Sequence, residues 1–257
     1  MSSLLTAAIA TLVFCAPGYP GAAGDAQPFI DQFVSAATAN AGWPKGSLAA
    51  VYDPSEAGGL TKLTSPDAVL AFIPYPFFVE HAAQLHLTPL AQADVTGLGT
   101  TERWTLVGKS GLPDRPQALN GYTILSVAGY SPVFVRQSAL GAWTLPQGVR
   151  VESTGQILSA LRRVASGETV VALLDQTQAA AIPTLPFAAQ LTPMLQSAPV
   201  PVALLAIVDS RLTPARAHAL QGALLKMGHA GSDADVLGAL HLQRFVAPQL
   251  PASRIGP

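Results

Sequence analysis

The sequence predicts an α/β fold with largely parallel sheets, and three observations carry that prediction. Runs at 67–73 (after its leading Asp67), 170–174 and 203–208 are apolar throughout, the pattern of strands covered on both faces. Segments with one apolar face at helical spacing alternate with these runs, and such alternation lays helices onto the faces of a sheet. Finally, 49% of the 257 residues are hydrophobic and only 11% are charged, enough apolar side chain to fill one large core or two smaller ones.

In chain order, residues 12–16 read as a buried strand entering a loop whose prolines and glycines forbid regular structure. Asp25 is placed to cap a helix in which Phe29, Ile30, Phe33, Val34 and Ala37 form a single apolar stripe. A second strand at 48–52 is followed by a Ser/Gly-rich loop that leaves Glu56 in solvent. The strand at 67–73 feeds Pro74, Tyr75 and Pro76 and then a helix over 77–84.

Residues 104–108 form the next strand, 113–120 a helical turn, and 122–127 a further strand. The loop 128–132 opens a helix over 133–143, and a strand follows at 149–152. The helix at 156–165 places Ile157, Leu158, Leu161 and Val164 on one face. The run 170–174 is closed by Asp175, which caps the next helix or faces a ligand. Pro199 and Pro201 precede the strand at 203–208. Pro214 starts a helix carrying Leu220, Leu224 and Met227, and a last helix covers 233–240.

Composition excludes several classes. Lys and Arg number 14 against 15 Asp and Glu, a formal charge of -1, whereas neutralising nucleic-acid phosphates needs a basic stripe. Disorder requires high net charge and low hydrophobicity, the reverse of this chain. So little charge implies an apolar surface or an apolar groove. The one membrane-like run, 4–16, is shorter than the roughly 20 residues a spanning helix needs. It reads as a buried strand or as the apolar core of an extracytoplasmic leader. Gly21, Ala22 and Ala23 resemble a cleavage site, but the first basic residue is Lys45. Cys15 is the sole cysteine, so no internal disulfide forms. Phe14 stands where a lipoprotein signal needs a small residue, which favours a buried structural thiol.

Several segments, in order, resemble the type II periplasmic solute-binding proteins of ABC importers. The nearest branch is the phosphonate- and phosphate-binding group, with its sulfonate-binding and transferrin-like relatives. Residues 67–74 resemble that family's third strand, which ends at the ligand cleft, and 103–109 the strand crossing between lobes. Residues 118–122 and 128–130 resemble the start of the second lobe and the opening of a ligand-facing helix. Residues 159–168 with Asp175, 199–201 and 240–246 resemble a helix-turn-strand, the proline motif of the return crossover and the closing strand. The resemblance implies two Rossmann-like lobes with mainly parallel sheets joined by a two-strand hinge. Lobe one would comprise 1–105 and 205–257, and lobe two 106–204. It further implies a periplasmic monomer that binds a small molecule and meets an ABC permease or other membrane transport partner, with no cofactor and no catalysis.

Ligands in open parallel sheets sit beyond the carboxyl ends of the strands. The loops there supply Tyr19, Tyr75, Phe77, Ser126, Tyr130, Ser131, Thr154, Asp175 and Gln176 as candidate ligand contacts. In phosphonate binders the stretch matching 126–131 donates hydroxyls and helix N-terminal amides to an anion. Here Val127 and Ala128 stand at hydroxyl positions and no Arg or Lys is near, so the expected ligand is largely apolar, lipid- or sterol-like, with an oxyanion as the alternative. Catalytic motifs are missing. Gly108, Lys109 and Ser110 resemble the end of a P-loop, but Arg103 occupies its first glycine position. His81 and His86 are spaced for different helix faces, and the remaining enzyme reading is Cys15 paired with a distant His.

Overall fold

The computed structural model describes residues 9–18, 23–228 and 232–251. The chain opens with β1 (Ala10–Cys15), α1 (Ala23–Asn40), β2 (Leu48–Asp53), α2 (Glu56–Thr64), β3 (Ala68–Pro74), α3 (Tyr75–His81) and β4 (Thr88–Val95). The short β5 (Thr101–Glu102) leads to β6 (Thr105–Lys109), a 3-10 turn at Pro116–Leu119, β7 (Thr123–Ser126) and a π-helical turn at Phe134–Ala139. Then come β8 (Arg150–Ser153), α4 (Ile157–Ser166), β9 (Val170–Leu174), α5 (Gln176–Ala181) and β10 (Leu191–Gln196). The short β11 (Val200–Pro201) leads back to β12 (Ala203–Ile207), α6 (Pro214–Leu224), α7 (Ser232–Ala239) and β13 (Leu242–Val246).

Two sheets result, joined by a two-stranded ribbon. The first has the order β13-β4-β12-β3-β1-β2, the second β10-β6-β9-β7-β8, and β5 pairs with β11 between them. Each sheet has a parallel three-strand part, β2-β1-β3 in one and β8-β7-β9 in the other. The strands next to each crossing, β12 and β6, add antiparallel because the chain enters each sheet from the opposite end. The chain therefore has two α/β lobes connected by β5 and β11.

Local chemistry accounts for these elements. α4 has a buried face of Ala160, Leu161, Val164 and Ala165, and it stops at Gly167, whose φ of 89° is left-handed and whose amide closes onto Arg163 and Val164. Asp175 and Gln178 form a reciprocal capping box at the start of α5. In the first lobe, Phe14 meets Phe33 edge-on at 5.9 Å between ring centroids, and Phe72 lies 5.1 Å from Phe14. Full burial of such side chains stabilises the lobe by roughly 1.5–3 kcal/mol each.

The structure corrects four expectations. α1 begins at Ala23, so Asp25 sits in its first turn, favourably placed for the helix dipole rather than as the cap. The segment expected to be a loop after β2 is α2, capped by Ser55, whose Oγ accepts from the Gly58 amide. Glu56 is consequently not solvated; its Oε1 lies 2.9 Å from Nε2 of His81. Strands β4 and β10 went unanticipated because polar residues or proline interrupt their apolar pattern. In β4, Gln92 is buried and hydrogen-bonds the Thr100 carbonyl and the Gln249 amide, and in β10 the interruption is Pro193.

Candidate ligand-binding site

The ends of β1, β2 and β3 face those of β7 and β9 across a cavity of about 720 Å³. From the first lobe come Phe14, Cys15, Ile30, Tyr52, Phe72 and Pro74; from the second, Val127, Ile157, Leu158, Thr177 and Gln178. The connection between lobes adds Glu102, Val202 and Ala203. No Lys, Arg or His is among the described lining residues, and the only acids are Glu102 and Asp175.

Both acids are buried. Glu102 is 3% exposed, and burial, helped by the nearby charge of Asp175, pushes its carboxyl up to about 8. The Trp104 indole N–H donates to its Oε1 at 3.2 Å. Asp175 is 4% exposed and its pKa is also raised by burial, although the Gln178 amide donates to Oδ1 at 2.8 Å. Cys15 lies on the cavity wall with its Sγ 3.5 Å from the Ser55 carbonyl. Burial, then the charges of Asp53 and Glu56, push this thiol up to about 12. That shift disfavours the thiolate, the form a nucleophile would need.

The candidate residues read from sequence fall in three places. Asp175 lines the cavity and also caps α5, so its two readings coexist. Gln176, the next residue, instead accepts from the Arg103 amide at 3.3 Å and lines a different cavity of about 780 Å³ on the second lobe. Tyr19 lies outside the described residues.

The remaining candidates are held by the fold away from the cavity lining. Tyr75 is buried, stacked on Phe78 and edge-on to Phe134 at 6.1 Å, filling the seam between α3 and the π-helical turn. Phe77 is fully buried against His81, with ring centroids 4.6 Å apart. Ser126 is buried and its Oγ accepts from the Ala128 amide at 3.2 Å. Tyr130 is half-buried against the core around Val13 and Phe77. Thr154 accepts from the Gln156 amide at 3.1 Å, a local bond at the start of α4.

Ser131 is bound by a residue of the other lobe. Its Oγ donates to Oε2 of Glu80 at 2.9 Å, and the Val133 amide donates to the same oxygen at 3.1 Å. The helix start that would receive an anion under the oxyanion alternative thus already holds a carboxylate supplied by α3 of the other lobe.

Of the side chains read from sequence, only Asp175 lines this cavity; the others that line it come from the same and neighbouring strand ends. Phe14, Tyr52 and Phe72 are the last or nearly last residues of their strands, a signal available from the strand-end rule. Glu102 had a weaker signal, an acid just before the strand that crosses between lobes.

No family model matches the chain, and no curated sequence matches it. Solved structures do. XAC2383 from Xanthomonas citri, bound to ATP, has a TM-score of 0.69 at 14% identity, over 95% of this chain and 92% of that one. A binding-protein component of an ABC phosphonate transporter from Pseudomonas aeruginosa has a TM-score of 0.57 at 17% identity, covering 92% and 80%. PhnD1 from Prochlorococcus marinus, in complex with methylphosphonate, has a TM-score of 0.55 at 13% identity, covering 93% of each chain. The chain has the type II periplasmic-binding-protein fold.

Proposed function

We propose that this chain is an extracytoplasmic solute-binding protein that captures a small, largely apolar molecule between its lobes. It delivers that molecule, as a monomer, to an ABC permease or another membrane transport partner. The observation that carries this reading is the cavity itself, framed by strand ends of both lobes and without a cationic side chain among its described lining residues. We assign residues 1–105 and 205–257 to lobe one and 106–204 to lobe two, in keeping with the separate sheet formed by β6 to β10. A ligand touching both lobes stabilises the closed arrangement, and a partner reads the change in shape. Such a role needs no reaction, and the cavity-lining thiol is held in its unreactive form. Among the described residues no helix is long and apolar enough to cross a membrane.

The alternative is an oxyanion, as the phosphonate-binding structures suggest. Glu80 opposes it by occupying the hydroxyl and amide at Ser131 and Val133 that an anion would need. Native mass spectrometry of the purified full chain, beside its denatured mass, tests the two. An apolar species released on denaturation is expected; a phosphonate or phosphate would overturn the reading.

A further inference from the structure

A second cavity, of about 780 Å³, lies on the second lobe beside its connection to the first, and the reading above makes no use of it. One wall is α5 with the turn after it, represented by Ala179, Ile182 and Pro183. The other is β10, the edge strand of the second sheet, which contributes Met194, Leu195 and Gln196. Arg103 is the one charged residue among its described lining residues. The cavity between the lobes has the opposite character, since its described lining charges are both acids.

Arg103 is held in place but not neutralised. Its amide donates to Oε1 of Gln176 at 3.3 Å, and its Nη1 donates to the Ser197 carbonyl at 2.7 Å. These bonds fix an exposed guanidinium at the cavity, yet no described carboxylate pairs with it. The neighbouring Glu102 faces the other cavity, and the charge that acts on it is Asp175. A guanidinium presents a planar fork of N–H donors, and one bond to a carbonyl leaves most of them unused.

Thr105 supplies an independent observation. It is 6% exposed, it lines this cavity, and its hydroxyl has no hydrogen-bond partner among the described residues. A hydroxyl withdrawn from water without a partner is destabilising, and an acceptor entering the cavity would offset that cost. Both polar groups therefore ask for the same thing, an acceptor that carries negative charge.

We propose that this cavity binds a compact apolar carboxylate. The Arg103 guanidinium holds the carboxylate, the Thr105 hydroxyl donates to it, and the apolar body lies against Ile182, Pro183 and Met194. A carboxylate matches the planar fork better than a spherical anion does. The site is separate from the cavity between the lobes and stands whatever that cavity binds.

Calorimetric titration of the full chain with cinnamate and cinnamyl alcohol tests the inference, since the two share a body and differ in charge. Cinnamate is expected to bind at least about tenfold more tightly. Arg103→Gln is expected to remove that preference. Thr105→Val should weaken cinnamate about fivefold and leave the ligand-free chain at least as stable in melting curves, because the hydroxyl it removes has no partner. Ala26→Trp, which fills the cavity between the lobes, should bind cinnamate as the parent does. Equal binding of the alcohol, a preference that survives Arg103→Gln, unchanged affinity in Thr105→Val, or no binding of either probe would overturn the site. Loss of cinnamate binding in a folded Ala26→Trp would place the probe between the lobes and would overturn it too.

Discussion

Two places in this molecule set a carboxylate beside hydrogen-bond donors, and they use it in opposite ways. At the seam between α3 and the π-helical turn, Glu80 receives the Ser131 hydroxyl and the Val133 amide while Tyr75 packs beside Phe134. There the polar groups are consumed by the fold. On the cavity wall, Glu102 and Asp175 have fewer donors than they can use and no cation among the described lining residues. The contrast teaches that a loop rich in hydroxyls and aromatics is not thereby a binding site. What matters is whether the side chains have already found partners within the chain.

One effect expected from this contrast concerns the seam. Tyr75→Ala should destabilise the protein by about 3–4 kcal/mol, as removal of a buried aromatic does, measured by denaturant unfolding. Affinity of the folded variant for the uncharged apolar probe N-phenyl-1-naphthylamine should not change. Loss of binding without loss of stability would place Tyr75 with the ligand and break the contrast.

A smaller effect is expected at Glu80. Glu80→Ala leaves the buried Ser131 hydroxyl without its acceptor and should cost about 2 kcal/mol, with Glu80→Gln recovering part of it. Phosphate that binds Glu80→Ala but not the parent chain would confirm that Glu80 occupies an anion position; phosphate bound equally by both would refute it.

A further effect, at Glu102, depends on pH. Its carboxyl titrates at 4.5 when free and at about 8 in the fold, so the folded chain binds this proton more tightly. The stabilisation is complete below pH 4.5 and is lost as the pH rises through 8. Glu102→Gln should therefore match the parent at low pH and exceed it by up to about 5 kcal/mol at high pH, read from melting curves. A constant difference across that range would mean Glu102 is not buried as described.

How much of this was legible in the sequence follows from the range of the interactions involved. The Asp175 cap is written within four residues and was read directly; the face of α4 was read in part, since Leu161 and Val164 are buried but Leu158 is exposed. The helix α2 was misread because Gly58 and Gly59 look like loop residues. Gly59 is there for packing: a Cβ at this position would lie 2.0 Å from the Cys15 sulfur. Glu80 meeting Ser131, and Glu102 meeting Asp175, join residues 51 and 73 apart, and only the assembled lobes bring them together. The fold class was carried by local pattern; the ownership of each polar group was decided by tertiary contact.

The central claim is that a small apolar molecule binds in the cavity between the lobes. It is tested most directly with the uncharged fluorescent probe N-phenyl-1-naphthylamine, titrated into the parent chain and into Ala26→Trp, which fills the cavity from a half-buried position on α1. The account predicts a saturable, blue-shifted signal from one probe per chain, unaffected by phosphate and abolished in Ala26→Trp. Probe binding that survives Ala26→Trp in a folded variant, or that phosphate displaces, would contradict it.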